Sequence, residues 1–191
     1  MKRRVGILGG TFDPPHLGHL IIANEVLQAL QLDEIRFMPN QEPPHKQKDK
    51  WISNDDRINM LTLSIADHPC FAIEKIELER KGRSYTYDTV LLLREREPEI
   101  EFYFIIGADM IEYLPKWYKI DQLLKLIQFV GVNRPNHSQK TEYPILHVTI
   151  PDINISSTLI RTRISENKSV KYLISDNVWN YIKEHQLYGS N

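Results

Sequence analysis

The feature that most constrains this chain is a change of period near its start. Val5-Gly6-Ile7-Leu8 is a short, nearly all-apolar run stopped by Gly9-Gly10, the pattern of a strand buried on both faces of a parallel sheet. From Leu17 the spacing becomes helical: Leu20, Ala23, Leu27 and Leu30 recur at three and four residues, with Ile21 and Val26 broadening the stripe. That pattern predicts a helix packed on the sheet. Ile35 to Met38 then reads as a second strand. Strand, helix and strand in so short a span make a right-handed βαβ unit, the seed of an α/β fold with a doubly wound, mainly parallel sheet and helices on both faces.

The rest of the chain continues this alternation. Ser53 followed by Asp56 resembles a capping box, and Ile58, Leu61 and Ile65 continue at helical spacing, which predicts a helix over roughly 54–67. Phe71 to Leu78 alternates in part and reads as an extended segment or edge strand. Tyr87 to Arg96 is expected to be helical, and Phe102 to Ile106 to be a buried strand ending at Gly107-Ala108-Asp109. Ile120 to Leu126 reads as a short helix, with two further strands at Phe129 to Val132 and Leu146 to Ile150. From Ser156 onward the pattern is of helices broken near Asn167 and Asp176, the last carrying the stripe Val178, Tyr181, Ile182. The expected organisation is one domain, a core over 1–155 with a small C-terminal helical cap over 156–191. The polar segment Asn40 to Lys50, with Pro43-Pro44-His45-Lys46, is too long for an ordinary connection, and long loops of this kind often carry function.

Composition narrows the ligand class. Lys and Arg number 24 against 25 Asp and Glu, a net charge of −1 over 191 residues, so no charge bias argues for nucleic acid as the main ligand. Cys70 is the single cysteine; it has no partner for a disulfide or a thiolate metal cage and fits a reducing compartment. The apolar run after Met1-Lys2-Arg3-Arg4 is too short for a secretory segment, and no uncharged stretch approaches the roughly 20 residues of a membrane span. A cytoplasmic protein without membrane contact is expected.

Chemistry concentrates where the first strand delivers the chain through Gly9-Gly10-Thr11-Phe12-Asp13-Pro14-Pro15-His16-Leu17-Gly18-His19 into a helix. The two glycines allow a tight turn and close approach of a phosphate to the main chain, where helix N-terminal N–H groups favour anions. His16 and His19, three residues apart, fall on one helix face with Gly18 leaving room between them. Ligands of open α/β sheets bind beyond the carboxyl ends of the strands, so the pair stands where a nucleotide would lie. Zinc is disfavoured, because no third Cys or His lies at a recognisable spacing. Far along the chain, Ile155-Ser156-Ser157-Thr158-Leu159-Ile160-Arg161 follows a strand and opens a helix. Its hydroxyls can cap the helix or donate to phosphate oxygens, and Arg161, one turn on, can reach the same anion. Alone this motif reads as a cap with a solvated Arg161; together with the first it flanks one triphosphate site.

On these residues the chain resembles the nucleotidyltransferase superfamily whose HxGH signature is shared with class I aminoacyl-tRNA synthetases. Across essentially its whole length it is similar to bacterial nicotinate mononucleotide adenylyltransferases, with Pro43-Pro44-His45-Lys46, Arg83-Ser84-Tyr85-Thr86-Tyr87-Asp88-Thr89, Gly107-Ala108-Asp109 and Trp117-Tyr118 as marks of that subfamily. The resemblance implies a Rossmann-like fold and adenylyl transfer from ATP to the 5′-phosphate of nicotinate mononucleotide, giving nicotinate adenine dinucleotide and pyrophosphate in NAD biosynthesis. It implies His16, His19 and Arg161 as catalytic residues and Gly9, Gly10, Thr11 and Phe12 as the phosphate cradle. Ser156, Ser157 and Thr158 complete the ATP contacts. Gly107, Asp109 and Arg134 fall on the adenosine side, Asp109 suiting ribose hydroxyls or, equally, a helix N-cap. His45, Lys46, Thr86, Trp117 and Tyr118 belong to the mononucleotide, although a solvated role for His45 and Lys46 and a core role for Trp117 are the plainer alternatives. Mg²⁺ is expected between phosphate oxygens, held by substrate and water rather than by a protein metal site. A homo-oligomer, a dimer, is implied. The rivals are a superfamily transferase with another acceptor, such as pantetheine-phosphate adenylyltransferase or a cytidylyltransferase, and a nucleotide sensor without turnover. The even charge and the absence of an anticodon-binding module exclude a synthetase fragment.

Overall fold

The computed structural model describes residues 2–41, 52–80, 84–133 and 141–190. The readings placed on Pro43 to Lys46, Arg83 and Arg134 lie outside these residues.

The elements in chain order are β1 (Arg3–Gly10), α1 (Leu17–Ala29), β2 (Glu34–Pro39), α2 (Asn54–Ile65), β3 (Phe71–Ile73), α3 (Thr86–Arg96), β4 (Ile100–Gly107), α4 (Ala108–Tyr113), α5 (Ile120–Leu123), β5 (Gln128–Asn133), β6 (Ile145–Thr149), α6 (Ser157–Ser165) and α7 (Asp176–Glu184). The six described strands form one sheet in the order β3-β2-β1-β4-β5-β6, with every neighbouring pair parallel. β1 is central, as its two-sided apolar pattern requires. The chain winds outward from β1 through β2 to β3, then crosses to β4 on the other flank of β1. The β1/β4 junction is therefore the topological switch point, where an open parallel sheet leaves a crevice at its carboxyl edge.

Alternation along the strands feeds two cores. Val5, Ile7, Phe102, Phe104 and Phe129 face α3, α4 and α5, while Leu8, Ile35, Phe37, Tyr103, Ile105 and Val130 face α1 and α2. A third cluster joins Met60 of α2 to Ile160, Ile164, Val178 and Ile182 of α6 and α7. The cap is thus built on α2. Tyr181 donates to the Asp56 carboxylate at 2.8 Å, and the Leu17 N–H donates to the Leu173 carbonyl at 2.9 Å, tying the cap to the start of α1. No helix among the described residues is long and apolar enough to cross a membrane.

Two local readings change. The extended segment from Phe71 is a strand only as far as Ile73, after which Ile76 to Glu79 turn. Glu74 ends the pairing because its buried carboxylate turns to Arg36 and Arg96. Helix α4 was not expected: of its six residues only Ile111 is buried, so it carries no repeat from which a period could be read.

Candidate active site

The turn that leaves β1 begins with Gly10, whose added Cβ would sit 2.9 Å from the Phe12 ring. Phe12 itself lies in the left-handed region, φ 51°, and its ring is 1% exposed. That ring meets His19 edge-on at 4.9 Å between centroids. Phe12 is therefore a wall behind His19, and only its main chain is left to meet a phosphate.

His16 is the N-cap residue of α1, in extended conformation, and its ring stacks on that of His19 at 3.6 Å. The His16 main-chain N–H donates to His19 Nδ1 at 3.2 Å. A ring nitrogen that accepts carries no proton, so the neutral His19 tautomer bears its hydrogen on Nε2. Burial lowers the His16 imidazole to about 4; burial, with His16 as a like-charge neighbour, holds His19 well below its ordinary value. At neutral pH both rings are uncharged, and each carries one N–H donor. His16 Nδ1 is buried without a hydrogen-bond partner.

Gly18 is what lets the rings stack, since a Cβ there would lie 3.0 Å from His16 Nδ1 and 3.8 Å from the Ile155 Cβ. Alanine in place of glycine inside a helix otherwise gains about 1 kcal/mol. Gly18→Ala is expected to leave the melting temperature unchanged or higher while turnover falls about tenfold, because a displaced donor loses rate steeply with distance. Parallel thermal melts and steady-state assays check this.

The histidines also set a pH dependence. The unfolded chain protonates His16 near 6.5, the folded chain only near 4, so the unfolded state binds the extra proton between those values and stability falls as pH drops through that window. The loss from His16 is of the order of 2 to 3 kcal/mol at pH 4.5, at 1.36 kcal/mol per pKa unit. Glu97, lowered to about 2 by its hydrogen bonds from Arg36, contributes only further down. Urea unfolding at pH 7 and 4.5 should show His16→Asn losing less than the native chain by that amount.

The second motif meets the first at this turn. Ser157 donates to the Pro14 carbonyl at 2.9 Å, and Arg161 donates to the Asp13 carbonyl at 2.6 Å and to Thr158 Oγ1 at 3.2 Å. Ser156 caps α6 by accepting from the Leu159 N–H at 3.1 Å. Ser157 thus gives its proton to the protein, whereas Ser156 and Thr158 only accept within it and are exposed.

Beyond the carboxyl ends of β1 and β4 lies a cavity of about 350 Å³ whose lining includes Gly9, Thr86, Gly107, Met110 and Trp117. Trp117 is half-buried and serves both readings: its edge packs on Phe104 and Phe129 at 6.0 and 5.8 Å, and the side chain also borders the cavity. Thr86 opens α3, whose N-cap Tyr85 makes no side-chain cap. Gly107 faces open space, with nothing within 4 Å of an added Cβ. It, and not Asp109, is the N-cap of α4; Asp109 stands exposed in the first turn. Tyr118 does not border the cavity: it is 46% exposed and stacks with Tyr85 at 4.7 Å.

Three residues escaped the sequence reading. Arg57, 2% exposed, donates to the carbonyls of Thr11 and Asn40, both at 2.9 Å. Its signal was available, a charged residue at helical spacing from buried Met60 and Leu61. Glu77 lines the cavity, accepts from Thr89 at 3.1 Å and has its carboxyl pKa raised by burial. Tyr188 donates to Asp13, and nothing in its neighbourhood in sequence announces that contact.

A parallel α/β sheet with paired histidines on a turn at its switch point defines the class, a nucleotidyltransferase of the HxGH kind. A model of the cytidylyltransferase-like family matches residues 7–163. The chain is 55% identical to the nicotinate-nucleotide adenylyltransferase of Bacillus subtilis over 188 residues, 98% of this chain and 100% of that one. Solved structures of Plasmodium falciparum nicotinic acid mononucleotide adenylyltransferase, complexed with APC and with NaAD, share the fold with TM-scores of 0.83 and 0.84 at 21% and 22% identity. Each comparison covers 99% of this chain and 98% of the other. The chain belongs to the cytidylyltransferase-like family and, within it, to the nicotinate-nucleotide adenylyltransferases.

Proposed function

We propose that this enzyme transfers the adenylyl group of ATP to the 5′-phosphate of nicotinate mononucleotide, forming nicotinate adenine dinucleotide and pyrophosphate as a step of NAD biosynthesis. The observation that carries the reading is the stacked His16–His19 pair at the turn that leaves β1, with a cavity at the end of the same strand bordered by Gly9, Trp117 and Thr86, in a chain so similar to enzymes named for this reaction. A phosphate oxygen of the mononucleotide forms a bond to the α-phosphorus as the bond to the bridging oxygen of pyrophosphate breaks. The nucleophile is already an anion and no general base is needed. The protein aligns two polyanions and stabilises charge on the α-phosphate and the leaving group.

In this reading His19 donates through Nε2–H to the α-phosphate, with His16 beside it, and Arg161 and the first turn of α6 hold the outer phosphates. Thr11, the Gly9-Gly10 backbone and the main chain of Phe12 complete the cradle; Gly107 and Asp109 take the adenosine side, and Thr86 and Trp117 the pyridine ring. His45, Lys46 and Arg134 keep the roles the resemblance implies. Enzymes of this class use a divalent cation, and we infer Mg²⁺. The cation would travel with the triphosphate and would supply neutralisation of phosphate charge. A homodimer and a cytoplasmic location belong to the same proposal, as does the division into a core over 1–155 and a cap over 156–191. Incubation with Mg-ATP and, separately, nicotinate mononucleotide, nicotinamide mononucleotide, phosphopantetheine or glycerol phosphate tests it. Pyrophosphate is expected chiefly with the first, and chief release with either of the last two overturns it.

A further inference from the structure

Beyond the end of β1 the turn from Thr11 to Pro14 has no regular structure, yet four carbonyls from Gly10 to Pro14 are held from outside. Gly10 accepts from the Asn40 N–H at 2.9 Å, Thr11 from Arg57 at 2.9 Å, Asp13 from Arg161 at 2.6 Å and Pro14 from Ser157 at 2.9 Å. Carbonyl oxygens facing a polyphosphate would repel it, so these bonds also decide which side of the turn an anion meets. The Asp13 side chain, 5% exposed, is gripped too: its Oδ1 accepts from the Tyr188 hydroxyl at 2.5 Å and its Oδ2 lies 3.9 Å from Arg161.

Tyr188 reaches Asp13 from 175 residues further along the chain. Its backbone is left-handed, φ 58°, as is that of Gln186, φ 52°, and such conformations cost a non-glycine residue of the order of 1 kcal/mol each. Strain of this kind persists only where surrounding contacts over-determine it. Here the Tyr188 ring packs on the cluster of Ile160 and Ile182, and its hydroxyl spans from that cluster to the phosphate turn. A phenol donating to a carboxylate at this length is a strong bond, and its two ends belong to different parts of the fold.

We propose that Tyr188 is a positioning residue for adenylyl transfer: by fixing the Asp13 carboxylate it holds the turn that carries His16 and His19 to the triphosphate. The proposal rests on the reading of this turn as the triphosphate site. Tyr188→Phe keeps the ring and its packing and removes only the donor. We expect kcat to fall about tenfold with KM for the mononucleotide unchanged, a split that general loosening of the fold does not give. Imidazole ¹⁵N spectra supply a second readout that needs no turnover: His19 should hold the Nε2–H tautomer in the native chain and become a tautomer mixture in the variant. Tyr172→Phe, at a ring 78% exposed on the same cap, should change neither. A kcat within twofold of native, an unchanged ¹⁵N spectrum, or a loss equal to the unfolded fraction overturns the proposal. Should Tyr188→Phe not fold, Asp13→Asn, which keeps an acceptor but weakens the bond by removing its charge, decides: about a tenfold fall in kcat with a His19 tautomer mixture supports the positioning bond, and native kcat with a native ¹⁵N spectrum overturns it. If the native chain releases no pyrophosphate with any acceptor, the adenylyl-transfer reading fails, and the ¹⁵N spectra still decide whether Tyr188 orders the histidines.

Discussion

His19→Ala is expected to lower turnover at least a hundredfold with ATP saturating, the scale on which loss of one preorganised transition-state donor is felt. The geometry sharpens the reason. His19 is held on three sides, by the Phe12 edge at 4.9 Å, by the His16 ring at 3.6 Å and by the His16 N–H at Nδ1, so its remaining nitrogen keeps one direction and one protonation state before substrate arrives. Donors that need no reorganisation are worth most in the transition state. The fold should survive, because His19 is only half-buried and α1 is anchored by Ala23, Val26 and Leu27. A circular dichroism melt beside the rate measurement separates the two effects. Turnover within tenfold of native would contradict the role given to His19.

What the sequence disclosed follows from the range of the interactions involved. The switch-point crevice was legible because β1, α1 and β2 each carry an unbroken apolar period, and period is local. The meeting of the two histidines was legible too, but for another reason than a shared helix face: His16 is the extended N-cap and His19 the third residue of the first turn, so their rings meet across the cap, and the glycine between them has no side chain to intervene. That the two motifs meet was inferred from chemistry, two anion-binding motifs needing one anion, while the bond that joins them, Ser157 to the Pro14 carbonyl, comes from the structure alone. Tyr188 and Arg57 were invisible for a different reason: each acts by a hydrogen bond to a residue distant in sequence, and a tyrosine near a chain end or an arginine on a helix is by composition a surface residue. The hydroxyls of Ser156 to Thr158 illustrate a third limit. Cap and phosphate ligand demand the same residue types at the same helix start, so only geometry separates Ser156 as cap from Ser157 as the bond to Pro14. Tyr118 is assigned to the mononucleotide by resemblance, as a backbone or hydroxyl donor; its ring meets Tyr85 outside the cavity, which leaves its main chain as the donor in question.

Nicotinate mononucleotide should be preferred to nicotinamide mononucleotide by about tenfold to a hundredfold in kcat/KM. The cavity beyond the carboxyl ends of β1 and β4 offers an indole, Trp117, and the start of α3 at Thr86. An indole face suits a flat cationic pyridinium ring whichever substituent it carries, so the discrimination falls to α3. Its N-cap, Tyr85, gives no side-chain cap, and first-turn N–H groups without such a cap are donors with a partial positive charge behind them. A carboxylate accepts at both oxygens. An amide must turn its NH₂ toward one of those donors, and two donors left facing each other cost about 1 to 3 kcal/mol, or roughly one to two decades at 1.4 kcal/mol each. Glu77 sets the limit on this preference, for a carboxylate in the same cavity repels an acidic ligand. One of its oxygens accepts from Thr89, and burial raises its carboxyl pKa. The comparison of specificity constants for the two mononucleotides decides the matter: equal values, or preference for the amide, would reject the donor arrangement inferred at Thr86, and a gain in selectivity on Glu77→Gln would show that the repulsion is the term opposing it.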